Sequence, residues 1–169
     1  MLRTWVSTAG GPLIAVPKSE LNSWAGVDDN DGPVETWGDY GRACAVEGYI
    51  GAIAVGTQQA LVFGGEPAMT TYLAAERAFL LWVGADSESE LVAAAERVLA
   101  AGPDWDADED VNWEVREAVV LFDSAIPGAE LEPDDRFDID LEPGPYRVRA
   151  AYAQVEDSSM ILVQLQPAI

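Results

Sequence analysis

Carboxylates are the only reactive side chains that this sequence supplies in quantity, with 30 Asp and Glu and no His. Their densest groupings are Asp28-Asp29-Asn30-Asp31-Gly32 and Asp104-Trp105-Asp106-Ala107-Asp108-Glu109-Asp110. Clustered acids suit cation binding, acid and base catalysis at a sugar, or attraction of a basic partner. The calcium register fails in both segments. Counting back from Gly32 as the sixth loop position puts Val27 at the first ligand and Gly38, not Glu, at the twelfth. In the second segment Glu109 stands where glycine is needed. No metal and no other cofactor is expected. Both segments read as solvated loops, because like charges this dense are not buried unpaired.

The absence of histidine removes the commonest general base, the usual zinc ligand and the middle member of a Ser-His-Asp triad. Cys44 sits in Ala43-Cys44-Ala45-Val46 with no partner to activate it and reads as core packing. Gly64-Gly65-Glu66-Pro67 lacks the Lys-Ser or Lys-Thr of a phosphate loop. A small carboxylate-dependent hydrolase is the surviving enzymatic alternative, and a cleft presenting two carboxylates about 5–10 Å apart would mark it. The sequence selects no such pair, so no catalytic residue is assigned and the chain is expected not to be an enzyme.

Against 9 Lys and Arg the acids leave a formal net charge of −21. That potential repels nucleic acid and anionic lipid and steers basic partners inward, although acidity kept only for solubility would look the same. An acidic ligand-binding or scaffold domain is the third reading. A single cysteine, an N-terminus Met1-Leu2-Arg3-Thr4-Trp5 without leader character, and no long apolar run point to a cytoplasmic location away from membranes.

The elements that must position these acids follow from the apolar pattern. Length and composition predict one α+β unit over 1–169 with mostly antiparallel pairing. About eight strands are expected besides the one main helix, 87–101, where Ser87 and Glu90 form a capping box and Gly102-Pro103 terminates. Residues 3–8 and 13–16 read as a strand pair around Gly10-Gly11-Pro12, and Pro17 with Ser19 as a short helical turn. Residues 27–39 read as an exposed loop. The runs 49–55, 60–63, 70–73 and 78–83 read as one antiparallel meander, and 113–122, 136–141, 145–153 and 160–166 as later strands. An echo between Ala60-Leu61-Val62-Phe63 and Ala118-Val119-Val120-Leu121-Phe122, each followed by a proline and another strand, suggests related halves, 1–103 and 104–169.

Four strings carry a resemblance: Trp5 to Pro17 (WVSTAGGPLIAVP), Trp24-Ala25-Gly26, Asp39-Tyr40-Gly41-Arg42-Ala43-Cys44, and Ala60 to Pro67 (ALVFGGEP). They resemble the Imm21 family of bacterial immunity proteins, which accompany polymorphic toxin systems, and the likeness extends from Trp5 to near Pro167. The resemblance implies a protein that neutralises a cognate toxin by direct binding, without cofactor or reaction. Within it Gly10, Gly11 and Pro12 shape a turn, and Trp5 and Trp24 anchor the core. Combined with the charge, it implies a basic, nuclease-type toxin met by an acidic substrate mimic. The expected contact residues are Asp28, Asp29, Asp31, Asp104, Asp106, Asp108, Glu109 and Asp110.

Overall fold

A computed structural model describes residues 3–168, so Met1 and Leu2 of the N-terminal stretch lie outside the described residues. The fold is α+β, and the described residues form ten strands in two antiparallel five-stranded sheets. The first sheet holds β1 (Leu13–Pro17), β2 (Ile50–Val55), β3 (Gln58–Phe63), β7 (Val119–Asp123) and β8 (Phe137–Ile139), in the order β2-β3-β1-β7-β8. The second holds β4 (Thr70–Leu73), β5 (Ala78–Gly84), β6 (Asp110–Val115), β9 (Gly144–Val155) and β10 (Ser158–Pro167), in the order β4-β5-β10-β9-β6.

Side chains alternate across a strand, and here both faces find apolar cover. Leu13, Leu61, Phe63 and Leu121 of the first sheet meet Phe79, Leu81, Trp113, Val148 and Val163 of the second in the central core. Phe63 meets Phe79 edge-on at 4.8 Å between ring centres, an arrangement that stabilises by about 0.5–1.5 kcal/mol beyond its area. The opposite face of the first sheet, with Ile14, Val62 and Phe122, packs on Trp24 and on Ala43 of α1 (Gly38–Cys44). The opposite face of the second, with Leu80 and Leu162, packs on Leu91 and Ala95 of α2 (Glu88–Ala101). Burial on both faces is why these strands read as continuous apolar runs. The α2 helix begins at the expected N-cap, with the Ser87 hydroxyl accepting the Glu90 amide at 3.2 Å but without the return bond from the Glu90 side chain that would complete a capping box, and Gly102 ends it at φ +89°.

Several expectations about connectivity are corrected. Residues 3–8 do not form a hairpin with β1. Val6 makes one isolated bridge to Thr70 of the second sheet, while β1 pairs with β3 and β7 in the first. Gly10-Gly11-Pro12 therefore carries the chain between sheets rather than reversing it within one. The meander splits likewise into hairpins β2–β3 and β4–β5 in different sheets, because β3 already has β2 and β1 on its two sides. The stretch 113–122 breaks at 116–118 into β6 and β7, again in different sheets. Residues 27–39 are not wholly loop: a 3-10 turn, Val34–Thr36, leads into α1, which composition hides because two of its seven residues are glycine. Gly41 is required there, since a Cβ would fall 2.5 Å from the Val34 carbonyl oxygen. Cys44, at the end of α1, is half-buried rather than a core residue.

Strands from 1–103 and from 104–169 share both sheets. The echoing strands β3 and β7 flank β1, and the second strands after each of them, β5 and β9, flank β10.

Candidate functional site

The segment 104–110 contains one acid that behaves unlike its neighbours. Asp104, Asp106, Asp108 and Asp110 are exposed, but Glu109 is only 7% exposed. The expectation that the whole segment is solvated is corrected at this residue. Its carboxylate accepts the Tyr49 amide at 2.5 Å and the Ile50 amide at 3.2 Å, and these amides provide the polar partners that its burial requires. Gly48 is shaped around it, with φ +79° and no room for a side chain, because a Cβ would stand 1.9 Å from Glu109 Oε1. Burial raises the Glu109 pKa above the ordinary carboxylate range, opposed by the two amide bonds and reinforced by Asp106 and Asp108.

Around this anchor the segment forms a turn on the edge of β9. The Asp106 amide donates to the Ala150 carbonyl at 3.0 Å, and the Ala150 amide donates back to the Glu109 carbonyl at 3.1 Å. Asp106 Oδ1 also accepts the Asp108 amide at 3.0 Å. Asp110, the first residue of β6, pairs with Arg147 at 2.6 Å, and that guanidinium holds the Asp110 carboxyl below its usual range. Its charge is thereby compensated, whereas Asp104, Asp106 and Asp108 make no ion pair among the described residues.

The second acidic segment is organised by Asn30, whose side chain accepts the Gly32 amide at 2.6 Å and donates to the Thr36 carbonyl at 3.1 Å. Asp28, Asp29 and Asp31 are all exposed on it. The loop is tied to the end of β7, where the Val27 amide donates to the Ala125 carbonyl at 3.0 Å. Asp123, 7% exposed, holds this corner by accepting the Ala9 and Ala125 amides, each at 3.0 Å. Buried Trp24 adds its indole N–H to the Ser124 carbonyl at 2.8 Å.

Strand register relates the two segments. Ile50 pairs with Phe63, Phe63 with Leu13, and Leu13 with Asp123, so one row crosses the first sheet from β2 to β7. Glu109 fastens the 104–110 turn to the β2 end of that row, and Asp123 and Ala125 fasten the 27–37 loop to its β7 end. Both acidic segments thus attach at the same end of the first sheet, on strands separated by three spacings, roughly 14 Å. No hydrogen bond or ion pair among the described residues joins them.

Two clefts gather carboxylates: Glu90, Glu156 and Asp157 line about 180 Å³, and Asp140 and Glu142 line about 150 Å³. Both are smaller than the roughly 300–1,000 Å³ typical of small-molecule sites. Among the described residues no three His, Cys, Asp or Glu side chains converge as metal ligands do, and no helix is long and apolar enough to cross a membrane.

The family model for Imm21, Immunity protein 21, matches residues 4–159. The chain belongs to the Imm21 family. No curated protein and no solved structure matches it. Membership implies an immunity protein of a toxin system, acting on a cognate toxin by binding. The strings that carry the Imm21 resemblance have structural duties here. Trp24 is fully buried, whereas Trp5 is half-buried, meeting Trp82 edge-on at 5.3 Å and donating to Glu88 at 2.5 Å. Gly64 and Gly65 let the 45–49 loop lie close, since a Cβ on Gly64 would fall 2.9 Å from the Gly48 carbonyl oxygen.

Proposed function

We propose that this Imm21 protein neutralises a basic, nuclease-type toxin domain by covering its active surface with the acidic end of the sandwich. The observation that carries the reading is the shared attachment of segments 28–31 and 104–110 to one row of the first sheet. Six exposed aspartates, Asp28, Asp29, Asp31, Asp104, Asp106 and Asp108, are presented at two corners of that end. Surface carboxylates so spaced substitute for the phosphates of a nucleic acid substrate and accelerate encounter with a positive cleft. Glu109 and Asp123 serve as the internal fasteners that set where the loops stand. Asp110, neutralised by Arg147, borders the surface without adding net charge.

The test is the affinity of the purified protein for its cognate toxin domain, with the six aspartates replaced by asparagine together. The reading predicts slower association and a flattened salt dependence in the variant. An unchanged affinity and salt dependence overturn it.

A further inference from the structure

We propose that the groove formed by Tyr49, Pro67, Val83, Tyr152 and Ile161, with Glu66 on its rim, is the pocket that receives one large apolar side chain from a cationic segment of the toxin. The proposal rests on the toxin-binding reading above and adds the anchor that charge alone does not supply. The groove encloses about 250 Å³, enough for one aromatic or long aliphatic side chain rather than a drug-sized ligand.

Its floor is a stretch of the core that the first sheet leaves uncovered. In the second sheet Leu81 pairs with Ile161 and Ile161 with Tyr152, so the three share one inner-facing row. Leu81 and Ile161 are 3% and 5% exposed, but Tyr152 is 50% exposed, and Val83, which falls where the β5–β10 register shifts and lines the same groove, is 48% exposed. Of the five large apolar side chains that the described surface exposes, these two line one groove. Such a wet aromatic beside a half-open apolar wall is the composition of a binding hot spot.

The rim fixes the chemistry of the occupant. Glu66 lines the groove, and Glu47 is exposed two residues before Tyr49. The turn carrying Asp106 and Asp108 bonds the side edge of β9 at Ala150, two residues before Tyr152, and Glu109 bonds the Tyr49 amide itself. An apolar floor with Glu66 on its rim, in a chain of net charge −21, is complementary to a Trp, Phe, Leu or Met flanked by Lys or Arg. A second copy of this chain, at net charge −21, brings the wrong sign.

The experiment compares Tyr152→Ser and, separately, Val83→Ser with the six-aspartate variant, in full-length protein, against the purified cognate toxin domain. Thermal melting confirms that each folds, as expected for half-exposed positions. The proposal expects each groove variant to dissociate on the order of 10- to 100-fold faster with its salt dependence intact. Groove variants that bind normally, while the aspartate variant binds weakly, overturn the pocket and leave the acidic-surface reading standing. Normal binding by all variants overturns both. Sedimentation of the free protein supplies the last arm: a dimer that Tyr152→Ser dissolves would assign the groove to a second copy and overturn the proposal.

Discussion

The Glu109 carboxylate and the Tyr49 amide, 60 residues apart, meet at 2.5 Å and fasten the strand that opens the edge of one sheet to the strand that opens the edge of the other. An acidic loop would otherwise drift with its own repulsion. Here one carboxylate is turned inward so that its exposed neighbours are held in place.

Glu109→Ala leaves the Tyr49 and Ile50 amides without that acceptor and is expected to lower stability by about 1–3 kcal/mol, read from urea unfolding. Glu109→Gln keeps an acceptor oxygen and should cost less. The pH dependence separates them from wild type. Because the folded pKa is raised, the stability linked to this group is full below the unfolded value of 4.5 and is lost as pH rises through the higher folded value. As pH rises from below 4.5 through the folded value, the wild type should therefore lose more stability than Glu109→Gln, and parallel curves would contradict the buried-carboxylate account.

Gly48→Ala tests the same joint from the other side. The added methyl would stand 1.9 Å from Glu109 Oε1 on a backbone at φ +79°, a conformation that costs a residue with a side chain roughly 1–2 kcal/mol by itself. A lowered melting temperature is expected, with an effect that is not additive with Glu109→Ala in a double-mutant cycle. Full additivity would show that the two residues act apart.

Trp24 fixes the corner that carries the 27–37 loop. It is 1% exposed, and Trp24→Ala should destabilise by about 3–5 kcal/mol, against a smaller loss for Trp24→Phe, which gives up the bond to Ser124 but keeps most of the packing. Calorimetry that finds the two equal would place the energy in the hydrogen bond alone.

The α+β class, the helix at 87–101 and most strand positions were legible because capping, turn residues and apolar runs are local signals. The distribution of strands between sheets was not. Runs such as Ala60 to Phe63 and Val119 to Phe122 are buried on both faces and carry no alternation to say which partner each face meets. Helix α1 was hidden by Gly38 and Gly41, the latter demanded by its close approach to Val34.

At the candidate site, the exposed aspartates were readable from charge, whereas the inward role of Glu109 was missed. A signal for it existed. Asp104, Asp106, Asp108 and Asp110 share one parity of an extended chain, while Glu109 shares the other with Val111, Trp113 and Val115, the residues of β6 that turn toward the core. The Tyr152 groove had no such signal, since it exists only where one sheet ends short of the other.

The acidic surface also carries a cost that can be measured without any toxin. Replacing Asp28, Asp29, Asp31, Asp104, Asp106 and Asp108 by asparagine relieves self-repulsion in a chain of net charge −21 and should leave stability at low salt unchanged or higher. A marked loss would mean that these side chains hold the fold rather than face a partner.

Recognition of the toxin by charge is read from the association rate of that six-aspartate variant with the cognate toxin domain, followed from low to high salt. A rate that falls by at least about tenfold at low salt, and converges with wild type at high salt, is the predicted result. Equal rates at every salt concentration would contradict the claim that this end of the sandwich recognises the toxin by its charge.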